Sequence, residues 1–261
     1  MEINKENYDE LKNQKLKRAE IAERFGIPDW KLKRIISENG WGRKIPKYTY
    51  NGSFDSVTKE YAYWLGFLFA DGCVDNRNRV RLMLQESDRP HILKFRKFVG
   101  ATEFQVQECA WYSRTAIEFT SSLLCSKLAK FGITPRKTLI STPPDIEILG
   151  EYLRDFLRGL FDGDGTICES FSNRNSKLAT LYTGFAIAKQ SMPWLHTVLT
   201  DIVGVTYKSF ERENIYTITL NTNKSIQLLN FMYEDTTEDI RLDRKYNLYT
   251  KTVVMGNRKT R

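Results

Sequence analysis

The chain has 261 residues, of which 41% are apolar, enough for one large domain or two modest ones with an ample core. A formal net charge of +8 and a pI near 9.2 point to a polyanionic partner. Cys73, Cys109, Cys125 and Cys168 form no CxxC pair and have only His91 and His196 to join them, which argues against a zinc site or a disulfide framework. The first residues carry no apolar signal core and no run approaches membrane-spanning length, so an intracellular protein with no membrane partner is expected.

Residues 1–40 read as a separate small unit. Between residues 17 and 36 two short helical patterns break at Phe25-Gly26-Ile27-Pro28, with Ala22 and Gly26 four apart and Leu32 and Ile35 apolar on the second helix. The layout resembles a helix-turn-helix: Ala22 permits close crossing, Gly26 makes the turn, and Lys31, Lys33 and Arg34 are placed to meet phosphates or base edges. Residues 41–55 then form a linker whose Arg43 and Lys44 suit phosphate contacts, which need little defined geometry.

From residue 56 the pattern helix, two strands, helix, two strands, helix occurs twice, over 56–140 and 141–261. The first copy predicts an apolar helix ending near residue 71, strands at 73–74 and 79–85, a helix over 90–99, strands near 104–111 and 115–119, and a helix over 122–131. The second predicts a helix ending near 164, strands at 166–167 and 181–188, a helix over 193–203, strands near 207–212 and 215–220, and a helix over 224–233. The fold class is therefore α+β: two pseudo-symmetric αββαββα repeats forming a β-saddle, preceded by a small helical domain. Helices cover one face of each sheet, and the other face carries the candidate DNA contacts. These are Arg77, Arg79, Arg81, Gln85 and Gln105 or Gln107 in the first repeat, and Asn173, Arg174, Lys177, Thr183, Lys189, Arg212 and Lys224 in the second. The basic C-terminal residues 258–261 read as a phosphate-seeking tail.

The two leading helices are versions of one another. Tyr63-Trp64-Leu65-Gly66-Phe67-Leu68-Phe69-Ala70-Asp71-Gly72 matches Phe156-Leu157-Arg158-Gly159-Leu160-Phe161-Asp162-Gly163-Asp164-Gly165, sharing a small residue, a second small residue four positions on, and a final Asp-Gly. Residues four apart lie on one helix face, so each copy has a strip nearly free of side chains where the two helices can cross. Crossing brings Asp71 and Asp164 together, each followed by a glycine expected to leave the helix in a left-handed conformation. Paired carboxylates of this kind suit Mg²⁺, which keeps waters and substrate phosphates in its shell.

These stretches resemble the signature of the LAGLIDADG homing endonucleases, over roughly residues 56–250. The segment Leu128-Ala129-Lys130-Phe131-Gly132-Ile133-Thr134-Pro135-Arg136-Lys137-Thr138 resembles their single-chain linker, and Arg241-Leu242-Asp243-Arg244-Lys245 their closing helix. The resemblance implies that Asp71 and Asp164 bind the catalytic metals, with backbone carbonyls such as those of Ala70 and Gly163. It also implies that a polar residue ending the second strand and a basic one near the fourth organise the attacking water. Gln85 and Asp88 occupy that neighbourhood in the first repeat, and Lys189, Gln190 and Asn221 or Lys224 in the second; Thr120 and Ser121 stand where a lysine is expected. Asp162 has no acidic counterpart, the first copy having Phe69, and is left out of the core site.

The expected function is that of a monomeric, Mg²⁺-dependent, site-specific double-strand DNA endonuclease, with Mn²⁺ or Ca²⁺ able to substitute in binding, from an intron-encoded or free-standing homing gene. An RNA-splicing maturase acting on host intron RNA, or a DNA-binding regulator on the same fold, is the alternative. A third reading takes Asp162-Gly163-Asp164-Gly165-Thr166 as the DxDGT nucleophile motif of haloacid-dehalogenase-type phosphatases, though the upstream residues have helical rather than strand spacing.

Overall fold

The computed structural model describes residues 2–41, 48–109, 113–137, 141–171 and 179–254. Arg43, Lys44, Asn173, Arg174, Lys177 and the basic tail lie outside the described residues. The chain divides into two compact units, Met1–Lys47 and Tyr48–Arg261.

The first unit contains three short helices, α1 (Lys5–Asn13), α2 (Arg18–Arg24) and α3 (Asp29–Glu38). Helix α1 was not expected, because its apolar residues are few and set among charges. Asn4 caps it by accepting from the Asn7 amide at 2.9 Å, and Tyr8 and Leu11 are buried in a small core with Ile21, Ala22, Phe25 and Leu32. Gly26 takes φ +68° in the α2–α3 turn, which the Arg18 guanidinium spans by donating to both Asp29 carboxylate oxygens at 2.6 and 2.7 Å.

In the second unit, α4 (Lys59–Ala70) begins where the Thr58 hydroxyl accepts from the Tyr61 amide at 3.1 Å. Residues 61–68 are all buried, so the helix is apolar all round and lies inside the core. It leads into β1 (Gly72–Val74), β2 (Arg79–Gln85), α5 (Arg89–Phe98), β3 (Gln107–Cys109), β4 (Arg114–Thr120) and α6 (Ser122–Ala129). A short α7 (Ile146–Leu149) precedes the second copy: α8 (Leu153–Asp164), β5 (Gly165–Phe171), β6 (Ala179–Ala188), α9 (Met192–Thr197) running into a π-helical turn (Val198–Ile202), β7 (Lys208–Arg212), β8 (Ile215–Asn221), α10 (Thr222–Tyr233) and α11 (Asp243–Tyr249).

Each copy builds a four-stranded antiparallel sheet in the same order, β1-β2-β4-β3 and β5-β6-β8-β7. The registers also match: Gly72 pairs with Leu82 and Gly165 with Phe185, while Leu82 pairs with Ile117 and Phe185 with Ile218. Alternation works as the sequence predicts on β2, where Val80, Leu82 and Leu84 face the helices and Arg79, Arg81, Met83 and Gln85 face outward.

Three expectations are corrected. Gly72 and Gly165 are not left-handed; Gly165 is extended (φ −76°, ψ 157°), and both are glycine because a β-carbon would strike the preceding turn, 2.6 Å from Leu68 O and 2.4 Å from Phe161 O respectively. Thr183 faces inward, 2% exposed, with its hydroxyl 3.0 Å from that of Ser225, since Leu181, Phe185 and Ile187 fix that parity as the buried one. The outer face of β2 is less positive than its sequence suggests. Asp75 and Glu118 bind Arg79 at 2.6 and 3.1 Å, and Glu118 lies 3.9 Å from Arg81.

Candidate active site

Helices α4 and α8 cross at the small residues. A β-carbon on Gly66 would lie 2.1 Å from the Phe156 carbonyl oxygen, and one on Gly163 would lie 2.3 Å from the Ala70 β-carbon and 3.5 Å from an Asp71 carboxylate oxygen. Backbone contact at the crossing thus carries through to the helix ends, and Asp71 and Asp164 are brought together there.

Both aspartates reach solvent, yet the converging helix ends strip away much of their hydration. Burial raises the Asp71 carboxyl above its usual range, with Lys137 and Lys245 opposing. Burial and then the charge of Asp71 push Asp164 up to about 6, again against Lys137 and Lys245. The same burial lowers each lysine to about 8, while the two aspartates favour its charged form.

The two lysines repeat one arrangement. Lys137 Nζ donates to the carbonyls of Leu68 (2.8 Å), Phe69 and Ala70 (2.7 Å) at the end of α4. Lys245 Nζ donates to those of Phe161, Asp162 (2.9 Å) and Gly165 at the end of α8. Each satisfies carbonyls the helix leaves without partners and sets a cation behind the carboxylates. Sequence reasoning missed both as site residues; the available signal was the Arg-Lys pair shared by the linker (Arg136-Lys137) and the closing helix (Arg244-Lys245).

A cleft beside Asp71 is lined by Gln85, Asp88, Arg114, Gly163 and Arg244, among others. Gln85 thus lines the same cleft as Asp71. Arg244 reaches Asp88 with two bonds, 3.3 and 3.1 Å. Arg114 sits opposite Gln85 in the β2–β4 register, whereas Thr120 pairs with Arg79 at the far end of the strand. The antiparallel register thus places Arg114, and not Thr120 or Ser121, at the end of β4 that lines the cleft with Asp71.

The other named residues are more scattered. Lys189 is ion-paired with Glu211, which also accepts from the Tyr216 hydroxyl at 2.6 Å, and the Gln190 amide donates to the Ser141 carbonyl at 3.3 Å. Lys224 bonds the Thr206 hydroxyl. Arg77 and Arg212 are exposed, as are Lys31, Lys33 and Arg34 on α3, with Arg34 3.3 Å from Glu38. Gln105 and Gln107 are exposed before and at β3.

Asp162 lies on α8, 1% exposed, and one of its oxygens accepts from the Tyr63 hydroxyl (2.8 Å) and the Leu242 amide (2.7 Å), the other from the Tyr233 hydroxyl. Asp162 therefore sits within a helix rather than at the end of a parallel strand, and its carboxylate is taken up by three donors, neither of which suits the nucleophile of the phosphatase reading.

Duplicated αββαββα halves around two crossing helices, with paired carboxylates at their ends, make the LAGLIDADG homing-endonuclease fold. Among solved structures with it, meganuclease I-SmaMI bound to uncleaveable DNA is similar at a TM-score of 0.52 and 11% identity, covering 77% of this chain and 92% of that one. I-GzeII in complex with its DNA target gives 0.52 and 12%, over 78% and 92% of the two chains. I-AabMI bound to uncleaved DNA gives 0.51 and 9%, over 76% and 91%. No family model matches the sequence, and no curated protein is similar to it. At these identities the likeness is one of fold.

Proposed function

We propose that the chain is a divalent-metal-dependent endonuclease that cuts both strands of a DNA target, each half supplying one cutting site. The observation that carries this reading is the pairing of Asp71 with Asp164 at the helix crossing, with Lys137 and Lys245 placed behind them by two copies of one device. Two partly desolvated carboxylates whose charges oppose one another, as the raised Asp164 carboxyl records, call for a cation between them. Their oxygens suit a hard ion such as Mg²⁺, and Asp71 and Asp164 would hold it, with the Gly163 carbonyl and the remaining lone pair of the Ala70 carbonyl at hand. Such an ion supplies an activated water and offsets charge building on the phosphate. The protein's own part is to fix the acids by the crossing, to hold a phosphate with Arg114 and to orient a water with Gln85 at the cleft wall.

One chain carries both halves, so a monomer suffices. The outer sheet faces and helix α3, with Lys31, Lys33 and Arg34, are the proposed DNA contacts. Among the described residues no helix is long and apolar enough to cross a membrane.

The test is incubation of the purified protein with a randomised duplex library and Mg²⁺, sequencing any ends, alongside Asp71→Asn and Asp164→Asn. Discrete ends from the wild type alone support the nuclease. Selective retention of DNA or structured RNA by all three proteins, without new ends, replaces it with the regulator or maturase.

A further inference from the structure

The acids and lysines obey the two-fold relation between the halves, but the walls beside them do not. The sheet registers fix which residues correspond. Gln85 pairs with Arg114 at the end of the β2–β4 ladder, and Ala188 pairs with Ile215 at the end of the β6–β8 ladder. The next step along the chain confirms the correspondence: the Glu86 amide donates to Ser113 O at 2.8 Å, and the Lys189 amide to Asn214 O at 2.9 Å. Gln85 therefore corresponds to Ala188, Arg114 to Ile215 and Asp88 to Ser191. Where the first half offers an amide, a guanidinium and the Asp88–Arg244 ion pair, the second offers a methyl group, an isoleucine 47% exposed, and a serine that donates to Ser141 O at 3.1 Å. Of the cations on this side, Lys189 corresponds to Glu86 and is engaged by Glu211, Arg212 stands opposite Ile215 but one strand further out on β7, and Arg136, the counterpart of Arg244, has Ser191 rather than an acid in the place of Asp88.

We infer that the two half-sites are unequal: the one walled by β2 and β4 cuts its strand first, and the one walled by β6 and β8 follows slowly, leaving a nicked duplex as an intermediate. This rests on the nuclease reading. In each half the same hydrolysis occurs: a water oxygen bonds to phosphorus, one phosphorus–oxygen ester bond breaks, and the two water protons go to the departing alkoxide and to solvent. The oxyanions of the pentacoordinate phosphate need donors. A guanidinium presents a fork matched to two of them, whereas an isoleucine side chain presents none and displaces water that would serve instead. Loss of one such donor typically costs about 10²-fold, so the strand rates should differ by at least ~10-fold.

The experiment uses a supercoiled plasmid bearing a site selected from the randomised library, with Mg²⁺, excess protein and separate readout of each strand. The wild type is expected to build up nicked circle before linear product, the first break always in the same strand. Arg114→Ala should slow that strand by ~10-fold or more and leave the other unchanged, while the double variant Ala188→Gln, Ile215→Arg should speed the slow strand and drain the nicked circle. Ile215 is exposed and Ala188, its partner on the same sheet face, half-buried, and DNA retention reports that the variant is folded. Equal strand rates in the wild type overturn the inference while leaving the nuclease intact, as does an Arg114→Ala variant that slows both strands alike. No cleavage of either strand by any of these proteins removes the nuclease reading, and the inference with it.

Discussion

A β-carbon on Gly159 would stand 2.0 Å from the carbonyl oxygen of Tyr63, inside any attainable contact distance. The α4–α8 crossing is therefore set by backbone meeting backbone, and no rotamer can relieve an added methyl. Gly159→Ala should cost roughly 3 kcal/mol or more, at the upper end of overpacking penalties, and should also separate Asp71 from Asp164. Denaturant unfolding measures the first effect and cleavage rate the second. An alanine variant as stable as the wild type would mean that the helices do not meet here.

Lys245 is 3% exposed and joins the closing helix to the end of α8. Lys245→Met keeps the stem's volume but leaves three helix-end carbonyls without this donor and Asp162 without its cation. A loss of about 3 kcal/mol is expected, with a smaller loss for the less buried Lys137→Met. Each variant should also slow cleavage by ~10-fold or more where it remains folded. Unchanged melting of Lys245→Met would show the bonds to be energetically idle.

His91 provides a pH test. Its ring lies 2% exposed with Nε2 2.9 Å from the Tyr63 hydroxyl, and burial holds its pKa well below 6.5. The folded protein keeps this imidazole neutral while the unfolded chain takes up a proton below about pH 6.5. Stability from this group is thus full above pH 6.5 and falls below it, by up to about 1.4 kcal/mol per pH unit until the folded pKa is reached. Thermal unfolding between pH 7.5 and 5.5 should show the fall, and His91→Gln should flatten that part of the profile. An equal slope in the variant would assign the effect elsewhere.

For the first unit, Lys31→Ala with Lys33→Ala removes two exposed cations from α3 without touching its buried Leu32. If α3 meets phosphates, the slope of log K against log salt becomes shallower by about 1.8, and affinity drops by similar factors for matched and unmatched DNA. Binding isotherms at three salt concentrations suffice. An unaltered slope would take α3 off the DNA.

Much of the fold was legible because its signals are local. The strand 79–85 announces its parity by alternating basic and apolar residues, and the predicted bounds are those observed. Helix α1 was not legible, because two buried side chains in a charged segment form no periodic pattern; they become a core only against α2 and α3. Thr183 misled for the same reason: a polar residue on a strand reads as outward until Ser225 is brought beneath it.

The sequence alone determined the duplication, the pairing of Asp71 with Asp164, and the helices that carry them, since repeats and small-residue spacing are written along the chain. The tertiary structure decided which cations stand behind those acids and which end of β4 faces them. Lys137 and Lys245 reach the site from segments far along the chain from the carbonyls they bond, and Arg114 is selected over Thr120 by antiparallel register. Such choices depend on how separated segments pack, and residue order records them only once the two halves are folded against each other.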